Sequence, residues 1–218
     1  MISIEKIKKK YHFDTEEFTP ILENYFKYTS TINNPNYAPH LAEIHFNRLI
    51  DYFIDIIEIS VKEFRIKDDY ELYYTDKNQI IPKIGFVSTD FEFTIGLFRD
   101  IYIIWEIKNP DNIKNLKDDF WNLLFEFTSL GKFEYKEKNV NISDLRKKHS
   151  SLFNKRAHFF KLFRNYFLTQ SEYKRTDELG FLHLGWNTET NVEEWVLNLI
   201  NAIGVVYKLN SILVKNKS

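Results

Sequence analysis

The chain has 218 residues, 30 basic and 31 acidic for a formal charge of −1, and 44% hydrophobic residues, including 20 Phe, 13 Tyr and 4 Trp. That apolar content excludes disorder over most of the length, and the even charge balance excludes the global basic field that draws nucleic acid. The absence of cysteine excludes disulfides and cysteine-ligated zinc and points to a cytoplasmic setting, while only 6 Gly and 5 Pro tilt the reading from turn-rich β folds to long helices.

In chain order, the pattern predicts a helix over about 2–11 and a second from Asp14, where Asp14 and Glu17 have capping-box spacing, to Thr29. A long third helix is expected from Pro39 to Phe64. One of its sides carries Leu49, Ile50, Phe53, Ile57, Ser60, Val61 and Phe64. The other carries Arg48, Asp51, Asp55, Glu58 and Lys62 at spacings that suit ion pairs along a solvated face. His40, Glu43 and His45 cluster possible ligands, but histidines five apart turn to different sides of a helix, so no metal site is read there. Residues 67–87 break the helical period, and a short hairpin over about 70–83 is one reading of them.

Thr89 and Glu92 have the spacing of a second capping box, opening an almost wholly apolar central helix to Ile107. Further helices are expected over about 111–130, closed by Gly131, over 143–169 and over 191–214, with Trp195, Val196, Leu199, Ile203, Val206 and Tyr207 facing inward on the last. A charged loop over 132–141 and a loop containing Gly180 and Gly185 connect them. The sum is an all-α fold, one helical bundle of six to seven helices spanning 1–218. The most apolar stretch, Ile95–Ile107, is interrupted by Arg99, Asp100 and Glu106 and falls short of the roughly 20 residues of a membrane span. Neither a transmembrane helix nor a signal peptide is expected.

The strong phosphate-loop, dinucleotide, nucleophile-elbow and zinc-protease motifs are missing, and no metal or cofactor is implied. The segment 143–169 carries the most chemistry. His149 and Arg156 interrupt its apolar stripe and are expected as a buried polar pair, with Glu92 or Glu106 as a counter-charge for the arginine. Its opposite face places Lys155, His158 and Lys161 among aromatic residues, a surface suited to phosphates and stacked bases or to plain solvation.

At Phe163-Arg164-Asn165-Tyr166-Phe167-Leu168-Thr169 the sequence resembles the Arg-Asn-x-x-x-His motif of HEPN domains, small helical bundles that include metal-independent endoribonucleases of toxin–antitoxin and antiviral defence systems. The architectural part of the resemblance spans about 90–214. It implies a homodimer in which Arg164 and Asn165 grip a phosphate of RNA or a nucleotide. Thr169 stands where the family has its catalytic histidine, and a hydroxyl does not exchange a proton near neutral pH as imidazole does. The resemblance therefore implies an RNA-binding protein or a weak ribonuclease. A non-catalytic interaction or regulatory protein with a protein partner is the alternative, and a bundle enclosing an aromatic ligand is a third reading.

Overall fold

The computed structural model describes residues 2–30, 39–76, 79–87, 91–98, 100–108, 117–136, 158–159, 162, 178–187 and 191–215. Three helices come first: α1 (Ile4–Tyr11), α2 (Phe18–Ser30) and α3 (Pro39–Glu63). Four strands follow, β1 (Tyr70–Asp76), β2 (Gln79–Phe86), β3 (Phe91–Phe98) and β4 (Asp100–Lys108). The remaining described elements are α4 (Asp118–Ser129), β5 (Lys132–Lys136), β6 (Glu178–Asn187) and α5 (Val192–Lys215).

The all-α bundle is overturned: the strands form one six-stranded antiparallel sheet in the order β1-β2-β3-β4-β6-β5. The expected central helix over 89–107 is the β3–β4 hairpin, the charged loop after Gly131 begins with β5, and the loop holding Gly180 and Gly185 is β6. Four of the six strands thus lie inside the span that resembled a helical HEPN domain. The expected hairpin at 70–83 is β1 and β2, with Leu72 opposite Ile84.

Alternation explains the sheet. On β4, Ile101, Ile103, Trp105 and Ile107 are buried while Tyr102, Ile104 and Glu106 on the other face are half-buried. Register then joins apolar residues into rows across the strands. Leu72, Ile84, Phe93, Trp105, Leu182 and Tyr135 form one continuous row, and Ile95, Ile103, Leu184 and Phe133 the next. The β4–β6 ladder slips between Ile107 and Lys108, and Gly180, at φ 129, supplies the backbone conformation that side-chain-bearing residues rarely adopt.

Helix α5 packs on this apolar face, flanked by α3 and α4. Its buried residues, among them Trp195, Val196, Leu199, Ile200, Ala202, Ile203, Val205, Val206 and Leu209, occupy most of its circumference, as a central helix requires. Its stretch Val192–Val214 is long and apolar enough to cross a membrane, and 67% of the qualifying window is buried inside the fold. Packing against α1, α3, α4 and the sheet accounts for that composition. Two buried polar side chains turn to their own helices: Ser60 donates to the Ile56 carbonyl at 2.7 Å and Asn201 to that of Leu197 at 2.9 Å. The Trp186 indole N–H donates to the Leu130 carbonyl at 2.6 Å, fixing β6 to the end of α4.

The N-terminal helix is fastened by carboxylates. Glu63, whose side chain is only 6% exposed, accepts from Lys10, from the Tyr11 hydroxyl at 2.8 Å and from Lys6 at 3.3 Å. The Lys10 and Tyr11 hydrogen bonds hold its carboxyl down at about 2. Because the folded value lies below the ordinary 4.5, this stabilisation is complete above pH 4.5 and lost as pH falls toward 2. Glu63→Gln is expected to cost about 1–3 kcal/mol at neutral pH, from charge-assisted hydrogen bonds, and to flatten the acid limb of a stability–pH curve measured by urea denaturation.

Candidate functional site

Helices α2 and α3 pack side by side, antiparallel, and leave an open trough between them. Its larger part, about 590 Å³, is lined by Glu17, Pro20, Ile21 and Asn24 from the α2 side and Arg48, Asp51, Tyr52 and Asp55 from α3. A second hollow of about 270 Å³ shares Glu17, Tyr52 and Asp55 and continues past Asp14, Glu58 and Lys62. Five carboxylates thus line one trough against two permanent cations, Arg48 and Lys62.

Local chemistry builds each wall. The Asp14 carboxylate accepts the Glu16 N–H at 2.7 Å, turning the chain ahead of α2, which begins at Phe18, four residues later than the capping pattern implied. Phe13 and Phe18 set their rings edge-on to Tyr52, at 5.8 and 4.8 Å between centroids. Phe18 continues to Trp195 at 5.1 Å, so the floor of the trough is anchored in the core. On α3, the spacing 51, 55, 58 puts three acids along one helical stripe.

The expected ion-pair face of α3 is largely absent. Lys62 binds Glu58 at 2.9 Å, but Arg48, Asp51 and Asp55 make no ion pair among the described residues. Charge therefore accumulates. Burial and the neighbouring Glu58 and Asp51 push the Asp55 carboxyl above its ordinary range. Burial, with the charges of Glu17, Asp14 and Asp55 around it, pushes the Tyr52 hydroxyl up to about 12. For Asp55 the sign is opposite to that of Glu63: a raised carboxyl favours the folded state at low pH, and ionising it costs stability as pH rises. Asp55→Asn is expected to raise stability at pH 7 by a few tenths to about 1 kcal/mol, a gain that shrinks on acidification and is read from melting curves at pH 7 and pH 4.

No group of three or more His, Asp or Glu residues that could hold a metal ion occurs among the described residues. Comparison with protein-family models, curated proteins and solved structures gave no match.

Of the residues singled out in the sequence, Arg164, Asn165, Thr169, Lys155, Lys161, His149 and Arg156 lie outside the described residues. His158, expected on a nucleic-acid surface, is half-buried, and its Nδ1 accepts the Tyr135 N–H of strand β5 at 3.2 Å. Its neighbour Phe159 stacks on Phe133 at 5.5 Å. Glu92, one proposed counter-charge for Arg156, binds Lys83 at 2.6 Å.

The sheet's other face carries ion pairs of its own, among them Lys83 with Glu92 and Lys136 at 3.8 Å from Glu134. The Tyr102 ring lies over Gly96 and stacks with His183 at 5.3 Å. The trough was legible in part, since the acidic stripe of α3 stands in the sequence. Glu17 and Asp14 arrive only through helix packing.

Proposed function

We propose that the protein is a non-catalytic interaction module whose α2–α3 trough receives a basic segment of a partner protein. The carrying observation is the concentration of Asp14, Glu17, Asp51, Asp55 and Glu58 along one open groove in a chain whose overall charge is only −1. Crowding like charges destabilises the free protein, and a cationic partner offsets that cost on binding. The apolar floor of Ile21 and Tyr52 supplies contact area beneath the charges. Arg164 and Asn165 remain the residues on which RNA binding would rest, and that reading has its own arm in the test.

The test is fluorescence anisotropy with a labelled lysine-rich peptide, a glutamate-rich peptide and a short single-stranded RNA. The lysine-rich peptide is expected to bind in a salt-sensitive manner, and an Asp51→Asn, Asp55→Asn, Glu58→Gln variant to lose at least about tenfold in affinity. Equal binding by that variant would overturn the proposal. RNA binding that an Arg164→Ala, Asn165→Ala variant loses would favour the nucleic-acid reading instead.

A further inference from the structure

From the order of charges along the trough we infer that its occupant is an amphipathic helix with cations only in its middle turns. The inference rests on the trough being the partner site and adds the partner's form. Along α3 the charges run Arg48, Asp51, Asp55, Glu58, Lys62, a positive residue at each end and three carboxylates between them. Their spacings of three and four residues keep all five on one stripe, which spans about 21 Å at 1.5 Å per residue.

A groove between two helices, charged along α3, with Glu17 and Asn24 on the facing wall and Ile21 and Tyr52 as its apolar lining, accommodates a third helix that presents one residue per turn. An extended strand places same-side residues roughly 6.6–7 Å apart and falls out of step with a repeat of about 5.4 Å. The complementary helix carries lysine or arginine opposite Asp51, Asp55 and Glu58. Opposite Arg48 and Lys62 it carries acidic or neutral residues, because a cation there meets like charge. Glu17, on the facing wall beside Tyr52 and Asp55, adds to the attraction at the centre.

Three labelled, alanine-based peptides of about 15 residues test this, a length of about four helical turns. The first has the pattern Glu-x-x-Lys-x-x-x-Lys-x-x-Lys-x-x-x-Glu. The second, with the same composition and net charge on the same helical face, has Lys-x-x-Glu-x-x-x-Lys-x-x-Glu-x-x-x-Lys. The third is the first with proline at its sixth position, which breaks the helix. The first is expected to bind about tenfold or more tightly than either of the others, a difference near 1.4 kcal/mol. Equal affinity for the first and second would overturn the charge order while leaving the trough as a cation-binding groove. Equal affinity for the first and third would overturn the helical form. Failure of all three, together with a lysine-rich peptide, on a protein shown folded by circular dichroism would remove the interaction reading itself.

Discussion

Replacing Trp105 with alanine is expected to destabilise the protein by about 3–5 kcal/mol, while Ile104→Ala, one residue away, costs markedly less. Trp105 is 1% exposed and sits mid-row between Phe93 and Leu182, so truncation opens a cavity that strands on both sides hold open. Ile104 points to the other face, between Thr94 and His183, and is half-buried. Chemical denaturation of the two variants checks the alternation directly. A helix apolar on nearly all sides would make both substitutions costly.

The second large effect is expected at Gly204. A Cβ built there lies 2.4–2.5 Å from the Cγ, Cδ1 and Cδ2 atoms of Phe64, near the root of that ring, where rotation of a flexible tip gives no relief. Gly204→Ala therefore forces α5 away from the end of α3 or expels the Phe64 ring from beneath Lys208, which sits 5.3 Å above its centroid. The expected cost is about 1–3 kcal/mol, typical of overpacking, despite the better helix propensity of alanine. In a Phe64→Ala background the same substitution should be nearly neutral or stabilising, so a double-mutant cycle by urea denaturation isolates the contact.

The buried faces of α3 and α5 and the start of α3 are readable because they depend on local rules, whereas the capping spacing misplaces the start of α2. Helix α3 starts at Pro39 as its first-turn proline suggests, and α5 buries Trp195, Val196, Leu199, Ile203 and Val206 of the expected inward face but leaves Tyr207 half-buried. The β3–β4 hairpin resembles a helix in sequence for a physical reason. Phe93, Ile95, Ile101, Ile103, Trp105 and Ile107 do alternate, but Thr94, Gly96, Tyr102 and Ile104 fill the second face, so the stretch looks apolar on every side. Thr89 and Glu92 imitate a helix cap by spacing alone. The density of β-branched and aromatic residues was the signal that pointed to strands.

In β6, Gly180 and Gly185 look like loop punctuation in the sequence. One is the positive-φ residue of a bulge, and the other lies beneath the His183 ring. Leu182, Leu184 and Trp186 between and beyond them carry the period-two pattern. The candidate site was half legible. A helical wheel shows Asp51, Asp55 and Glu58 in a row but pairs them with Arg48 and Lys62 by spacing. Only the Lys62–Glu58 pair forms among the described residues, and the facing Glu17 depends on how α2 docks.

The most direct measurement of the central claim is a ¹H–¹⁵N NMR titration of the labelled protein with the first helical lysine peptide. The trough reading predicts amide shifts concentrated in residues 14–24 of the α2 wall and 48–62 of α3, collapsing in the Asp51→Asn, Asp55→Asn, Glu58→Gln variant. Shifts centred on the sheet face around Tyr102 and His183, or on the segment containing Arg164 and Asn165, would contradict it.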